Sequence, residues 1–253
     1  MFNAKEETNK IIKFIKDYFE NNHLKGVVIG ISGGKDSAVV AALFQKAIGS
    51  ENIIGVTMPC HSKEQDRKDA FLISEKYNFK MINMDLTKTF DTLKEEAEKL
   101  EDFVESSDSD INLKPRLRMS TLYYIAQMYS KKNQGTYIVA GTGNKCEEYV
   151  GYFTKGGDSV SDIKVLADLT VEEVIQVGEV LEVPEQVLYK TPSDGISNLS
   201  DEDKLGVTYK EITKVINQEE VPKEIKEKIE KLHKNNQHKF IIPTYLKENN
   251  NSL

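Results

Sequence analysis

Gly30-Ile31-Ser32-Gly33-Gly34-Lys35-Asp36-Ser37 stands between two apolar stretches. Before it, Val27-Val28-Ile29 reads as a buried strand; after it, residues 38–48 are almost entirely apolar and read as a buried helix. A glycine-rich turn between a strand and a helix start is a place where anions bind. The first N–H groups of the helix lack partners and the positive end of its dipole faces outward. Gly33 and Gly34 carry no β-carbon, so the backbone can bend tightly and approach an oxyanion closely. Ser32 and Ser37 add hydroxyl donors, Lys35 adds charge, and Asp36 is placed to hold a metal ion. Neither Gly-x-x-x-x-Gly-Lys-Ser/Thr nor Gly-x-Gly-x-x-Gly can be laid on these residues, which excludes the common mononucleotide and dinucleotide loops.

Outward from this turn the pattern repeats. Ile11, Ile12, Ile15, Tyr18 and Phe19 fall on one face of a helix over residues 5–21. The first strand is 27–31, its helix about 36–48, and residues 53–58 form a second buried strand stopped by Pro59. A polar helix over about 63–77 leads to a third strand at 81–84. Residues 94–110 are strongly acidic and read as a solvated helix plus a mobile loop. Met119, Leu122, Ala126 and Tyr129 mark a long core-facing helix, followed by a fourth strand at 137–140 that ends in Gly141-Thr142-Gly143-Asn144. Strands alternating with helices, the strands nearly all apolar, predict an α/β fold: a doubly wound parallel sheet with helices on both faces. Ligands of such sheets bind outside the carboxyl ends of the strands, so the turns after strands one and four are expected to face one crevice. The last third is less regular. Residues 151–162 form a glycine-rich loop, and Val171, Val174, Ile175, Gly178 and Leu181 mark a helix with Pro184 beyond it. Residues 190–206 are polar and expected to stay mobile until something docks, and Ile225, Ile229 and Leu232 give a short amphipathic helix.

The length, 253 residues, suits one large domain, with no Pro-, Gly- or Ser-rich linker and no internal repeat. A formal net charge of −7 argues against a general nucleic-acid binder, whose affinity rests on phosphate neutralisation by Lys and Arg, while leaving room for an anionic small ligand. No apolar run approaches the roughly 20 residues of a membrane span. Residues 1–10 lack the apolar core of a signal peptide. Cys60 and Cys146 form no Cys-x-x-Cys pair, and the expectation is two free thiols in a reducing cytoplasm.

Residues 32–37 resemble the Ser-Gly-Gly-x-Asp-Ser signature of the ATP pyrophosphatases, enzymes that split ATP into AMP and pyrophosphate. Lys114-Pro115-Arg116-Leu117-Arg118-Met119, then Gly141-Thr142-Gly143-Asn144-Lys145-x-Glu147, then Gly151-Tyr152-Phe153-Thr154-Lys155-x-Gly157-Asp158 follow in order. That series, spread over residues 10–245, resembles the NAD synthetases. The resemblance implies amide formation in two steps: the nicotinate carboxylate of deamido-NAD attacks the α-phosphorus of ATP, and ammonia then displaces AMP. A free carboxylate is a poor acyl donor, and adenylation supplies a good leaving group. Fixed donors and a cation aimed at the departing diphosphate lower the barrier.

Carried over by position, the resemblance assigns Gly30, Ile31, Ser32, Gly33, Gly34, Lys35, Asp36 and Ser37, with Thr142 and Ser193, to ATP as co-substrate. Asp36 and Glu147 would hold Mg²⁺, a hard cation that takes a few carboxylates plus phosphate oxygens. Arg116, Lys155, Asp162, His238 and Lys239 would contact deamido-NAD. Asp36, Lys155 and Asp158 are the catalytic candidates, Asp158 standing where the family has an acid near the ammonia site. Taken singly, several of these have plainer readings: Lys155 and Asp158 as a loop ion pair, Asp162 as a cap, His238 and Lys239 as a solvated tail.

Two family features are absent. Thr57-Met58-Pro59-Cys60-His61 stands where members often have Arg-Leu-Pro, and Val171 stands where many have an ATP-binding lysine, for which Lys164 or Lys190 could substitute. Cys60-His61 lacks a second metal-ligand cluster nearby in sequence. The competing readings are another adenylating ligase, including a tRNA-modifying one, and a nucleotide-binding relative without turnover. Glutamine-using members carry an extra amidohydrolase domain for which this chain has no room, so free ammonia is the expected nitrogen donor. A homodimer, with deamido-NAD at the subunit boundary, is implied by the resemblance alone.

Overall fold

The computed structural model describes residues 2–191 and 200–245. In chain order the elements are α1 (Ala4–Asn21), β1 (Leu24–Gly30), α2 (Lys35–Ile48), β2 (Ile53–Thr57), α3 (Glu64–Tyr77), β3 (Lys80–Asn83), α4 (Thr87–Ala97), α5 (Ser107–Asn133), β4 (Thr136–Gly141), α6 (Lys145–Val150), β5 (Ile163–Lys164), α7 (Val171–Val180), α8 (Glu185–Leu188), α9 (Asp201–Leu205), α10 (Tyr209–Ile216) and α11 (Lys223–Asn235).

Successive side chains of a strand point to opposite faces, and here each face has its own core. Val27 and Ile29 of β1, Ile53 of β2, and Ile138 and Ala140 of β4 join α1, α2, α7 and α8 on one side. Val28, Ile54, Val56, Tyr137 and Val139 join Phe90 of α4 and Ile125, Ala126 and Tyr129 of α5 on the other. The strand order is β3-β2-β1-β4-β5, every pair parallel, with Val28 opposite both Ile54 and Val139. The expected doubly wound sheet is therefore present. Its order reverses at β1, and the turns after β1 and β4 are neighbours at the carboxyl edge, the switch point where such sheets bind ligands. α2 is apolar nearly all round because it lies within the larger core; Phe44 is fully buried and meets Phe19 of α1 edge-on at 5.9 Å. Burying one such side chain contributes about 1.5–3 kcal/mol.

Two expectations need correction. In the acidic stretch 94–110 the end of α4 and an irregular segment at 98–106 match the expected order of helix then loop, but residues 107–110 already form the first turn of α5. α5 is 27 residues long, and its start is set by Ser106, whose hydroxyl accepts from the Ser109 amide, with Asp108 and Asp110 favoured by the positive end of the dipole. The helix runs through Pro115, which removes one N–H from its ladder. The segment 190–206 also contains structure: Ser200 and Asp203 close a capping box that starts α9, and Leu205 anchors that helix in a third cluster with Cys146, Val150, Tyr209, Ile212 and Ile229. Residues 192–199, including Ser193, lie outside the described residues. Among the described residues no helix is long and apolar enough to cross a membrane.

Candidate functional site

The turn after β1 is bonded mainly to itself. The Ser37 hydroxyl donates to the Gly34 carbonyl (3.1 Å) and accepts from the Ser32 amide (3.2 Å); the Gly34 amide donates to Ser32 Oγ (3.2 Å). Only Gly33 has left-handed backbone, at φ +81°, and a β-carbon there would come within 2.3 Å of the Asp66 carbonyl oxygen on α3. Gly34 has φ −104° and caps α2 without a side chain; a β-carbon there would meet only Ser32 Oγ, at 3.4 Å. Ile31 turns its side chain into the core and gives its N–H to the Val56 carbonyl (2.9 Å), so Gly30 and Ile31 shape the loop. The amides of Lys35, Asp36 and Ser37 open the first turn of α2, where no carbonyl of the helix reaches them.

Asn144, fully buried, joins this loop to the turn after β4, where Thr142 also lies. As the N-cap of α6 its side-chain oxygen accepts from the amides of Cys146 and Glu147 (3.1 Å each), and its own amide donates to Glu147 Oε2 (3.0 Å). Its Nδ2 donates to Asp36 Oδ1 (3.3 Å). One asparagine thus brings together the two carboxylates expected to hold Mg²⁺. Lys35 lies among them, only 5% exposed, its Nζ donating to Asp36 Oδ2 (2.9 Å). Burial and the neighbouring charge of Asp36 push the Glu147 carboxyl up to about 8. Burial works against the Lys35 ammonium, but Asp36, Glu147 and Asp201 outweigh it and hold its pKa above the ordinary lysine value. Asp201, at the start of α9, accepts from the Tyr152 hydroxyl (3.0 Å).

The residues expected to meet the nicotinate nucleotide come together around the 151–158 loop. Arg116 Nε donates to the Lys155 carbonyl (3.3 Å), Lys155 Nζ to the His238 carbonyl (2.7 Å), and Lys239 Nζ to the carbonyls of Gly151 (2.7 Å) and Phe153 (2.9 Å). Gly157 passes so close to α5 that a β-carbon would come within 2.9 Å of Pro115 Cβ. Asp158 Oδ1 accepts from the Thr154 amide (2.9 Å). The residue is open to water at its edge, yet protein crowds its carboxyl enough to push its pKa up by desolvation. Asp162 has a structural part: its two oxygens accept from the Tyr123 hydroxyl (3.1 Å) and the Val139 amide (2.8 Å), tying the end of the loop to β4.

Asn144 and Arg118 carry no assignment from the sequence, and Lys190 is one of two candidates there. Asn144 was readable in principle, since Asn with Glu three residues on is a capping-box pattern. Arg118 of α5 reaches the loop after β2 and donates to the Met58 carbonyl (3.3 Å), bringing a guanidinium to the segment that lacks the family arginine. Lys190, rather than Lys164, lies at the turn after β1: its Nζ is 2.8 Å from Asp66, 2.5 Å from Asp69 and 3.4 Å from the Gly33 carbonyl. Lys164 instead pairs with Glu148 (2.5 Å), and Val171 is buried in the third cluster. Cys60 and His61 do not make a nucleophile. Burial pushes the Cys60 thiol up, and the His61 ring pairs with Asp91 (2.7 Å).

A profile described as NAD synthase matches residues 7–243. The chain is 36% identical over 242 residues to the NH(3)-dependent NAD(+) synthetase of Carboxydothermus hydrogenoformans, covering 95% of this chain and 97% of that one. Among solved structures it is similar to an NMN synthetase from Francisella tularensis, with a TM-score of 0.88 and 33% identity over 97% of this chain and 99% of that one. It is also similar to an NH3-dependent NAD synthetase from Campylobacter jejuni, with a TM-score of 0.79 and 25% identity over 97% and 100%.

Proposed function

The chain belongs to the NAD synthase family, and on that premise we propose that its cleft amidates deamido-NAD with free ammonia, using ATP and releasing AMP and pyrophosphate. The observation that carries this reading is the meeting, on Asn144, of Asp36 from the phosphate loop and Glu147 from the turn after β4. Two carboxylates beside a nest of amides are the donor set of a hard cation that completes its shell with phosphate oxygens, so the residues fit Mg²⁺. Bound there, the ion would offset the charge that builds on the departing diphosphate.

The chain's own groups divide the rest of the work. The first-turn amides of α2 and the hydroxyls of Ser32 and Ser37 receive the β- and γ-phosphates, and Thr142 and Ser193 add ATP contacts. Arg118 and Lys190 supply the cations missing from the loop after β2 and from position 171. Arg116, Lys155, His238 and Lys239 form the basic side of the nicotinate nucleotide site, which Asp162 holds against β4. A nicotinate oxygen attacks the α-phosphorus as the bond to the β-phosphate oxygen breaks. Ammonia then bonds to the carboxyl carbon, the bond to AMP breaks, and Asp158 takes the proton that the new amide loses.

α5 turns Tyr124 (69% exposed) and Met128 (46% exposed) to solvent. We assign that face to a second copy, giving a homodimer, and place the enzyme in the cytoplasm, where its two buried thiols stay reduced.

The test is direct. Purified protein given ATP, Mg²⁺, ammonium and deamido-NAD is expected to form NAD, AMP and pyrophosphate in equal amounts; ADP as product, or no turnover, would overturn the reading. Asp36→Asn should cut AMP formation by about 10²–10³-fold with the fold intact. The likeness to the Francisella protein favours one second reading, amidation of the nicotinate mononucleotide by the same chemistry. Comparing kcat/KM for the two nucleotides decides between them.

A further inference from the structure

Lys35 occupies the variable position of its motif and is the first residue of α2. A lysine in the first turn of a helix ordinarily extends into solvent, since its charge opposes the dipole there. Here the side chain is 5% exposed. Its ammonium donates to Asp36 Oδ2 (2.9 Å) and lies 5.8 Å from the centre of the Tyr209 ring, whose hydroxyl faces Asp201 (3.5 Å). The other Asp36 oxygen accepts from Asn144 Nδ2, and Glu147 Oε2 accepts from the Asn144 amide. Both oxygens of Asp36 and one of Glu147 are therefore already engaged by groups of this chain.

We propose that the Lys35 ammonium is a built-in counter-cation of the Asp36–Glu147 pair, so that free divalent metal does not load the resting site and enters only together with the triphosphate. The inference rests on the reading of Asp36 and Glu147 as the metal ligands. A metal ion arriving alone has to displace or face a unit positive charge at contact distance, in a site where water screens poorly. ATP changes both sides of that balance. It brings phosphate oxygens that complete the shell of the metal, and it offers the ammonium, on its flexible four-carbon stem, an anion of its own. Lys35 would thus act in turn as a placeholder for the metal and as a phosphate ligand, coupling metal uptake to nucleotide uptake.

Mn²⁺ binding followed by electron paramagnetic resonance tests this without turnover. The wild type is expected to bind Mn²⁺ at least about tenfold more weakly alone than with a non-hydrolysable ATP analogue, and Lys35→Met to bind it without nucleotide at least about tenfold more tightly than the wild type. The gain should vanish in Lys35→Met/Asp36→Asn, which locates the ion. Equal Mn²⁺ affinity in wild type and Lys35→Met overturns the proposal. Where Lys35→Met does not fold, the wild-type titrations decide: tight Mn²⁺ binding without nucleotide overturns it, and weak binding restored by the analogue supports it. A wild type that makes NAD yet takes up Mn²⁺ alone would sink this inference and leave the function standing. Absence of any amidation would do the reverse.

Discussion

The two ends of the proposed site are built by opposite means. At the proposed diphosphate end the turn itself is contiguous, although Asn144 and Lys190 reach it from far along the chain: the bonds that shape it join Ser32, Gly34 and Ser37, residues at most five apart. At the nicotinate end the bonds span the chain, from Arg116 to Lys155, from Lys155 to His238, and from Lys239 to Gly151 and Phe153. The first end is a local backbone device that needs one residue with unusual dihedral freedom. The second exists only once the short turn Gln237–Lys239 has docked on the 151–158 loop. A contiguous device should fail sharply at one position, whereas an assembled one should weaken by degrees at several.

Gly33→Ala is the hardest blow to that contrast and carries the largest expected effect. The methyl group would lie 2.3 Å from the Asp66 carbonyl oxygen, which is backbone and cannot swing aside, and the φ of +81° is itself costly for alanine. Strain of about 1–3 kcal/mol is expected, enough to move the turn and cost AMP formation about 10²-fold or more. Gly34→Ala is the control for the fold, with ordinary φ and only Ser32 Oγ at 3.4 Å, and should keep its melting temperature. Comparable losses of melting temperature in the two variants would break the picture of a single structurally essential glycine.

What was legible in the sequence follows the same division. β1, its turn and α2 could be read because strand, glycine and helix are neighbours. The crevice could be placed because a parallel sheet with this connectivity has one switch point. The start of α5 was hidden by Pro115 and by acidic residues that read as solvated, although those acids favour the helix by sitting in its first turn. α9 was hidden because a five-residue polar helix shows no apolar face: its capping box, Leu205 and the bonds of Asp201 and Glu202 to Tyr152 and Tyr209 hold it. The burial of Lys35, and the meeting of Lys190 with Asp66 and Asp69 more than a hundred residues away, arise from tertiary packing that no local pattern encodes.

Lys239→Met tests the assembled end and should be milder. It leaves the Gly151 and Phe153 carbonyls without their donor and removes a cation 5.3 Å from the Phe153 ring centre. A loss of about 1–3 kcal/mol is expected, confined to the docking of the terminal turn. KM for the nicotinate nucleotide should rise while the affinity for an ATP analogue stays at the wild-type value. A parallel loss of ATP affinity would show that the two ends are not independent.

The smallest effect, and the finest test, is the pH dependence of stability in Asp158→Asn. The Asp158 carboxyl is crowded by protein, which raises its pKa in the folded state above the ordinary carboxylate value of 3.8. Over the window between the unfolded and folded values the native state holds a proton that the unfolded state has released, so stability falls as pH rises through that window and is level beyond it. Asparagine keeps an oxygen to accept the Thr154 amide and has no charge to desolvate. The variant should therefore melt higher than the wild type near neutrality, with the difference shrinking as the pH approaches about 4, while its amidation rate falls for want of a proton acceptor. Added stability with lost activity is the signature of a carboxylate kept in a strained place for its chemistry, and it sets the nicotinate end apart from the phosphate loop, where Gly33→Ala should lose stability and activity together. A stability difference that does not change with pH would return Asp158 to the plainer role of bracing its own loop.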